Sequence, residues 1–156
     1  MTGIASKSLE KSFKCVFFCF LFVFYTYLFA CIFLADVCQN YHNLIDKTRK
    51  SDYITVTPKC DDQLKPDWYR FQGAAGTKMV TECPQMGKCD TDFPIWLKED
   101  HPTADEGKVR REVCIHRAGN CCYEGPYFIN VKNCSSYYIY NLFDQGVCNA
   151  RYCSTD

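Results

Sequence analysis

Few residues of this sequence carry the chemistry that an enzyme needs. Only three of its 156 residues are histidines, and His42, His101 and His116 lie far apart along the chain. The sequence has neither a Gly-x-Ser-x-Gly motif, which positions a hydrolase nucleophile, nor a glycine-rich loop that could bind phosphate groups. A Cys–His nucleophile pair is compatible with the spacing, but an even set of structural cysteines leaves no obvious free thiol. We therefore expect no catalytic site and no cofactor.

An excess of basic charge is also missing. The sequence has 18 Lys and Arg against 18 Asp and Glu, so its formal net charge is zero at pH 7. From residue 36 onward, 15 basic side chains face 17 acidic ones, which gives a net charge of −2. Proteins that bind nucleic acid carry clustered positive charge that neutralises phosphates. Nucleic acid is therefore not an expected partner.

Cysteine, by contrast, is abundant, with 13 residues in the chain. This frequency is typical of small domains in an oxidising, extracellular compartment. Three cysteines, Cys15, Cys19 and Cys31, lie in an apolar N-terminal run and are not expected to belong to the fold. The other ten form an even set that fits five disulfide bonds. They are Cys38, Cys60, Cys83, Cys89, Cys114, Cys121, Cys122, Cys134, Cys148 and Cys153.

The spacing of these ten cysteines favours disulfides over a metal site. Many zinc sites contain a Cys-x2-Cys pair, and no such pair occurs among the ten cysteines. Neighbouring side chains in extended backbone point to opposite sides, so Cys121 and Cys122 are expected to bond to different partners. Ten cysteines can pair in about 945 ways, and spacing alone does not choose among them. Two acidic pairs, Asp90 with Asp92 and Asp105 with Glu106, are weaker candidates for calcium than for solvated loops.

The first 35 residues predict a targeting or anchoring segment. Lys7, Lys11 and Lys14 precede an uncharged run at residues 15–35 that is rich in Phe, Leu and Val. The run is longer than a usual signal-peptide core and long enough for a spanning helix, and no small-x-small cleavage pair stands near its end. Aromatic-rich signal peptides exist, so a cleaved signal and an uncleaved type II membrane anchor both stay open. In either case, residues 36–156 are expected outside the cell.

Several apolar runs predict β-strands after residue 36. Residues 68–71 form an aromatic block, and Gly73 and Gly76 then allow a tight reversal. Residues 127–131 and 137–143 predict two strands of a hairpin, and the second run is apolar on both faces, which indicates a central strand. Other expectations are a short strand at residues 53–56, a packed apolar patch at residues 93–97 and a charged surface loop at residues 98–107.

The expected fold class is a small disulfide-rich domain, mainly β with short helices or loops, preceded by an N-terminal hydrophobic helix. The chain is thus divided into residues 1–35, the signal peptide or signal-anchor helix, and residues 36–156, the disulfide-rich domain. Within the domain, Trp68 and Phe71 are expected to be structural rather than to contact a ligand, because large aromatic side chains stabilise a core.

Several motifs occur in order together with the ten cysteines. They are Trp68-Tyr69-Arg70-Phe71 followed by Gly73 and Gly76, then Trp96-Leu97, His101-Pro102, Glu106-Gly107, Gly119-Asn120-Cys121-Cys122, Tyr137-Tyr138-Ile139-Tyr140-Asn141-Leu142 and Arg151-Tyr152-Cys153. With these motifs, the region past Cys38 resembles the ten-cysteine, decoy-type domain shared by uromodulin, the pancreatic zymogen-granule membrane glycoprotein and oncoprotein-induced transcript 3. The resemblance covers nearly the whole of this region.

The resemblance implies a disulfide pairing and a class of function. The implied bonds join Cys38 with Cys134, Cys60 with Cys148, Cys83 with Cys121, Cys89 with Cys153 and Cys114 with Cys122. In the family the domain is a non-catalytic recognition or decoy surface, so we expect an extracellular module, secreted or membrane-tethered, that binds an unknown protein or glycan. The alternatives are a structural component of extracellular matrix or mucus, and a small secreted hydrolase or toxin-like effector built around His101 or His116.

The resemblance also bears on glycosylation. In the family, decoy activity toward bacterial fimbrial lectins depends on a mannose-rich glycan on the asparagine of a Tyr-Asn-Leu-Thr motif, and residues 140–143 here read Tyr-Asn-Leu-Phe. N-glycosylation requires a hydroxyl residue two places after the asparagine, and Phe143 has none. Asn141 should therefore be bare, which leaves Asn133, in an Asn-Cys-Ser sequon, as the possible N-glycosylation site. Recognition is then expected through the protein surface, with the loop at residues 98–107 as a candidate.

Overall fold

Nine β-strands make up most of the regular structure in this computed structural model, which describes residues 36–123 and 125–156. The strands are β1 His42–Leu44, β2 Asp67–Phe71, β3 Lys78–Met79, β4 Phe93–Leu97, β5 Lys108–Ile115, β6 Tyr127–Asn133, β7 Tyr138–Leu142, β8 Ala150–Tyr152 and β9 Ser154–Thr155. Short 3-10 helices lie at Val37–Gln39, Lys47–Arg49, Gly73–Ala75 and Ala104–Glu106. The hydrophobic helix expected within residues 1–35 lies outside the described residues. In the described part, no helix has the length and apolar character needed to cross a membrane.

Seven strands form one sheet in the order β1-β2-β7-β6-β5-β4-β8, and β3 pairs with β9 in a small ladder. The predicted hairpin is confirmed as the antiparallel pair β6–β7. The second strand of that hairpin lies between β2 and β6, which agrees with its apolar character on both faces. The pairs β1–β2 and β4–β8 are parallel, and the remaining pairs of the large sheet are antiparallel.

One face of the large sheet, called the inner face, packs on the hydrophobic core. Alternate residues of each strand point to this face, as the two-residue period of a strand requires. Its fully buried large side chains include Phe71, Ile95, Leu97, Val113, Ile115, Val131, Tyr140, Leu142 and Tyr152. Complete burial of one such side chain contributes about 1.5–3 kcal/mol. The disulfide-rich, mainly β fold expected from the sequence is therefore confirmed.

Two strand expectations differ from the structure. The longest strand, β5, lies where the sequence predicts none, because charged residues such as Arg110 alternate with core residues such as Val113. The strand expected at residues 53–56 is wrong, since only an isolated bridge forms at Ile54. Ile54 is 69% exposed and Val56 is 81% exposed. The apolar side chains of residues 53–56 alternate as in a strand, but Ile54 and Val56 point to solvent and not to the core.

Four disulfides fasten the segments between the strands. They join Cys38 to Cys134, Cys83 to Cys121, Cys89 to Cys153 and Cys114 to Cys122. The adjacent cysteines Cys121 and Cys122 bond to different partners, as expected for neighbouring side chains that point to opposite sides.

The structure corrects the fifth implied pair. Cys60 and Cys148 are free thiols, so the expectation of a domain without free thiols does not hold. Each sulfur lies near an oxygen atom. Cys60 Sγ lies 3.8 Å from the carbonyl oxygen of Val147, and Cys148 Sγ lies 3.7 Å from Oδ1 of Asn149.

Candidate recognition surface

The opposite face of the large sheet, called the outer face, is covered near β4 by disulfide-bonded loops. Cys114 of β5 bonds to Cys122, and Cys83 bonds to Cys121. Trp96 of β4 donates its indole N–H to the carbonyl oxygen of Cys121 at 2.8 Å. Cys114 has no exposed surface. These contacts close this half of the outer face.

The opposite end of the outer face is bordered by stacked aromatic and cationic side chains. The guanidinium carbon of Arg70, on β2, lies 3.9 Å from the ring centre of Tyr137 and 5.7 Å from that of Tyr41. Arg70 also donates to the Tyr41 hydroxyl at 3.0 Å, and this hydrogen bond lowers the pKa of Tyr41. Tyr137 donates to the carbonyl oxygen of Cys38 at 2.5 Å, and a disulfide fixes Cys38 to Cys134. These contacts hold the segment that contains Tyr41 beside β2.

Between these borders, four side chains form a row across four strands. Trp68 of β2 lies opposite Asn141 of β7, and Asn141 lies opposite Asn130 of β6. Asn130 in turn lies opposite Arg110 of β5. Directly opposite residues in antiparallel strands point to the same face, with Cβ atoms about 4.5–5.5 Å apart. We call Trp68, Asn141, Asn130 and Arg110 the cross-strand row.

Further side chains flank this row, because every second residue of a strand points to the same face. Phe128 and Lys132 stand on either side of Asn130, and Lys108 stands beside Arg110. The guanidinium carbon of Arg110 lies 3.8 Å from the ring centre of Phe128. Lys108 and Arg110 are exposed, and the others are half-buried. The cross-strand row with these flanking residues is called the open region.

The polar groups of the cross-strand row are available to a ligand. Within residues 36–123 and 125–156, the side-chain amides of Asn130 and Asn141 and the indole N–H of Trp68 make no hydrogen bond. Their polar atoms are also accessible to water. In the described part of the chain, the side-chain atoms that are both buried and without a hydrogen-bond partner are Arg70 Nε and Ser154 Oγ, and neither belongs to the row. These amide and indole groups therefore exchange hydrogen bonds with solvent.

The loop at residues 98–107 lies on the surface, as expected, with most of its residues exposed, and His101 fastens it to the inner face. His101 Nε2 lies 2.8 Å from the hydroxyl of Tyr140, and its ring centre is 4.4 Å from that of Tyr138. The Tyr140 hydroxyl accepts the N–H of Met79 at 2.9 Å, and its own hydrogen can be donated to Nε2 when that nitrogen is unprotonated. Burial lowers the pKa of His101 to about 4, which keeps the ring neutral at pH 7.

Some of the charges of this loop are paired within the domain. Glu106 accepts the backbone N–H of Thr103 at 2.7 Å, and its other oxygen accepts from Arg111 at 2.8 Å. The hydrogen bond from Thr103, followed by that from Arg111, lowers the pKa of Glu106. Lys98 binds both carboxylate oxygens of Glu112 at 3.0 Å. These pairs hold Lys98 and Glu106, while Asp100 and Asp105 lie exposed.

The histidines do not form the constellation that the hydrolase alternative requires. His101 binds a tyrosine hydroxyl, and His116 Nδ1 lies 2.7 Å from the carbonyl oxygen of Pro84. Across the described ranges, neither ring contacts a serine or a carboxylate. His42 does contact Asp67 at 3.0 Å, on the exposed surface.

Most of the side chains considered for metal binding have other partners among the described residues. Asp90 pairs with Lys59 at 2.9 Å, and Asp92 accepts from Asn149 at 2.9 Å. In the part of the chain that the structure describes, two ligand-like groups occur, Cys83 with His116 and Cys121, and Glu112 with Cys114 and Cys122. Every cysteine in both groups is disulfide-bonded, so neither group offers the thiolates that bind a metal.

The structure separates two residues that the sequence places together. Phe71 is buried in the core, as expected. Trp68 is half-buried on the outer face, because residues three apart in a strand point to opposite faces. Asn130 and Arg110 are not predicted as site residues, although the alternation of apolar and charged residues along β5 was an available signal.

Known proteins are similar to the part of the chain that contains this surface. A family model that describes a uromodulin-like domain matches residues 69–154. Pancreatic secretory granule membrane major glycoprotein GP2 is 40% identical in Canis lupus familiaris and 37% identical in Homo sapiens, over 120 residues and 76% of this chain. Uromodulin of Rattus norvegicus is 37% identical over 120 residues, also 76% of this chain. The matches cover 23%, 22% and 18% of these proteins, so the chain spans about a fifth of the length of the curated relatives it matches.

Proposed function

The chain belongs to the family of uromodulin-like domains, and from that membership we propose that it is a non-catalytic extracellular recognition module. The observation that carries the proposal is the open region of the outer face. Much of the rest of the sheet is covered by a core, by disulfide-bonded loops or by stacked side chains, although β1 at one edge is largely exposed. An extracellular site of action is supported by the disulfides, which persist in oxidising compartments.

Rigidity supports a role in recognition. Ordering side chains and loops during binding costs free energy, so a preformed surface binds more tightly than a mobile one. Here β-strands position the cross-strand row. The disulfides Cys38–Cys134 and Cys114–Cys122 lie at its two borders. The backbone of the open region is thus held in place before a ligand binds.

Recognition in this chain is proposed to run through protein side chains and not through an N-glycan. Asn141 lies on the open region without a sequon, because Phe143 occupies the hydroxyl position. The remaining sequon, at Asn133, is engaged in the fold. Asn133 Nδ2 donates to the carbonyl oxygen of Pro102 at 3.0 Å, and its Oδ1 accepts the N–H of Ser135 at 2.8 Å. A mannose decoy is therefore not the proposed activity.

A binding screen tests this function. The full chain is expressed in secretory cells and purified from the medium if it is released, or by extraction from the cells if it is not. It is then applied to arrays of glycans, extracellular proteins and bacterial surfaces. We expect saturable binding that survives enzymatic removal of N-glycans. Binding that disappears with the glycans, or robust turnover of peptide, ester or glycoside substrates, would contradict the proposal.

A structural role in matrix or mucus is the second candidate, and one observation favours it. Ile54 and Val56 are strongly exposed, and Met86 is 42% exposed. The N–H of Thr55 donates to the carbonyl oxygen of Gly87 at 3.0 Å, which brings the two exposed segments together. Exposed apolar clusters commonly mark contact sites. Size-exclusion chromatography separates the two candidates, since a structural component should self-associate and a recognition module should elute as a monomer.

A further inference from the structure

We propose that the open region binds an acidic oligosaccharide, whose sugar ring packs on Trp68 and whose sulfate or carboxylate group is held by Arg110 and Lys108. This inference rests on the proposed function, because it names the ligand class of the same recognition surface. It commits to a saccharide with negative charge. A protein or peptide partner is an outcome of the test described below.

Charge is the first argument. Lys108 and Arg110 are exposed neighbours on the open region, although residues 36–156 carry a net charge of −2. On this face, β5 carries one carboxylate, that of Glu112. Lys98 donates to both of its oxygens at 3.0 Å. Positive charge is therefore concentrated here against the composition of the domain. Such a patch attracts anionic ligands.

The geometry of Arg110 suits a planar or tetrahedral anion. Its guanidinium lies 3.8 Å from the ring centre of Phe128, and this cation–π contact holds the long side chain over the sheet. Arg110 forms no ion pair with any residue that the structure describes. A guanidinium presents paired N–H groups that bind carboxylate, phosphate or sulfate oxygens two at a time. Arg110 is thus restrained without being neutralised.

Two adjacent amides argue for a saccharide. Asn130 and Asn141 lie directly opposite each other, and each amide carries two N–H donors and an acceptor oxygen. Sugar hydroxyls both donate and accept, so neighbouring hydroxyls match neighbouring amides. The indole of Trp68 beside Asn141 offers a flat apolar surface with a polar N–H. The apolar C–H face of a pyranose ring fits such a surface.

The open region suits a protein partner or a nucleic acid less well. Protein interfaces centre on large buried apolar anchors, and the strongly exposed large apolar side chains of the described chain lie off the large sheet, at Ile45, Ile54, Val56 and Met86. Nucleic acids need many phosphate contacts, and two exposed cations supply few. No N-glycan covers the amide of Asn141, because its sequence lacks the required hydroxyl residue.

The direct test is a titration of the full chain, purified from secretory cells, with defined oligosaccharides. The probes are a heparin-derived hexasaccharide, a hyaluronan hexasaccharide that carries only carboxylates, and the fully desulfated, carboxyl-reduced form of the first. We expect one or both acidic probes to bind at least tenfold more tightly than the neutral form, with affinity that falls as salt increases. The stronger acidic probe identifies sulfate or carboxylate as the anion. Equal binding of the neutral form, or no binding of any probe, would overturn the inference.

Matched variants locate the site. Arg110→Glu should weaken binding at least tenfold, whereas Lys47→Glu, a similar reversal of charge at an exposed residue off the large sheet, should leave it unchanged. Asn130→Asp keeps the size of the side chain and makes no new demand on the fold, because the amide has no partner in the described chain. It should also weaken binding, by repulsion of the anion. Unchanged melting temperatures exclude misfolding as the cause.

Further variants and a charged polymer distinguish specific binding of a saccharide from general attraction of negative charge. If the indole ring packs on the sugar, Trp68→Phe should retain part of the affinity and Trp68→Leu should lose most of it. Poly-glutamate that binds as tightly as the acidic hexasaccharide, or equal loss in Arg110→Glu and Lys47→Glu, would overturn the inference. If a protein from the arrays binds through the cross-strand row while the saccharides do not, this inference fails and the proposed function stands. Catalytic turnover would contradict both.

Discussion

Arg49 and Asp61 form a bidentate ion pair in the interior of the domain. Nη2 of Arg49 lies 2.6 Å from one carboxylate oxygen of Asp61, and Nη1 lies 2.9 Å from the other. The two side chains are only 7% and 5% exposed. Both also bind the backbone of Tyr152, on β8, through its carbonyl oxygen at 3.2 Å and its N–H at 2.9 Å. This pair therefore fixes the edge strand β8 to the segments on either side of residues 53–56.

Replacement of Asp61 by Asn should destabilise the domain by about 3–5 kcal/mol, because it leaves the buried charge of Arg49 without its partner. Chemical denaturation of the purified protein measures the loss. Asp62→Asn, at the exposed neighbouring position, is the control and should change stability by less than about 0.5 kcal/mol. Equal stability of the two variants would show that the ion pair does not hold β8.

His101 should make the domain less stable at pH 5 than at pH 7. Burial, with a smaller effect of Lys78, lowers its pKa to about 4 in the folded state, whereas an unfolded histidine has a pKa of about 6.5. Between these values the unfolded chain binds a proton that the folded chain does not, so acidification favours unfolding. The expected loss is about 1–2 kcal/mol after allowance for screening by solvent.

Melting curves of the native chain and of His101→Gln at both pH values test this expectation. Glutamine can still accept the hydroxyl hydrogen of Tyr140, but it does not titrate. The variant should therefore lose most of the difference between pH 7 and pH 5. Carboxylates with lowered pKa values, such as Asp46 and Glu106, keep most of their contribution at pH 5 and lose it as the pH falls further, so they interfere little. The same pH dependence in both proteins would contradict the assignment.

Gly76→Ala should destabilise the domain more than Gly73→Ala. Both glycines have positive φ, +81° and +62°, so alanine is strained at either position. A Cβ at Gly76 would lie 2.4 Å from the carbonyl oxygen of Thr155, whereas nothing lies within 4 Å of one at Gly73. The Gly76 variant must also push β9 away, which adds about 1–3 kcal/mol. Thermal melts of the two variants should rank them in this order, and a reversed ranking would rule out the close approach.

Cys121→Ser should sharply reduce secretion, because removal of a native disulfide from a small secreted domain costs about 2–5 kcal/mol. Cys148→Ser is the matched control, since Cys148 is an exposed free thiol. Secreted yield and melting temperature measure both effects. A comparable loss in the Cys148 variant would indicate that its sulfur forms the bond with Cys60 that the family resemblance implies.

Asn133 should be bare in the secreted protein, because its amide nitrogen is committed to the carbonyl oxygen of Pro102 and its neighbour Cys134 is disulfide-bonded. Glycopeptide mass spectrometry reads its occupancy directly. Phe143→Thr supplies a positive control, since it creates a sequon at Asn141 on the open region, where we expect glycosylation. Full occupancy at Asn133 would contradict the expectation.

The sequence predicts those parts of the fold that depend on neighbouring residues. The strand at residues 68–71 and the β6–β7 hairpin follow from local apolar patterns and from turn residues. The strand β5 is not predicted from the sequence. Its inward-facing residues Val113 and Ile115 alternate with outward-facing residues, but the many charged residues of the segment make it resemble a surface loop. The disulfide partners are implied by resemblance alone, since spacing leaves their pairing open.

The cross-strand row could not be predicted in the same way. Trp68 and Arg110 belong to strands that are remote in sequence, and only the order of the strands and their register place them in one row. A shift of one residue in any pairing would point its side chains to the other face. That register depends on the complete core, which local patterns do not encode. The same reason explains why the contact of His101 with Tyr140 was not foreseen.

The parallel pairing of β4 with β8 has a consequence for the time that the chain needs to fold. β8 can dock only after the chain has closed a long loop, and the bond from Cys89 to Cys153 spans 64 residues. Closing a loop costs conformational entropy before the contacts that it allows can form. Domains with many such pairings between distant segments therefore fold slowly. During that interval the cysteines are reduced and the core is exposed. The bond between Cys89 and Cys153 can therefore form only after the chain between them has been made and β8 has reached β4.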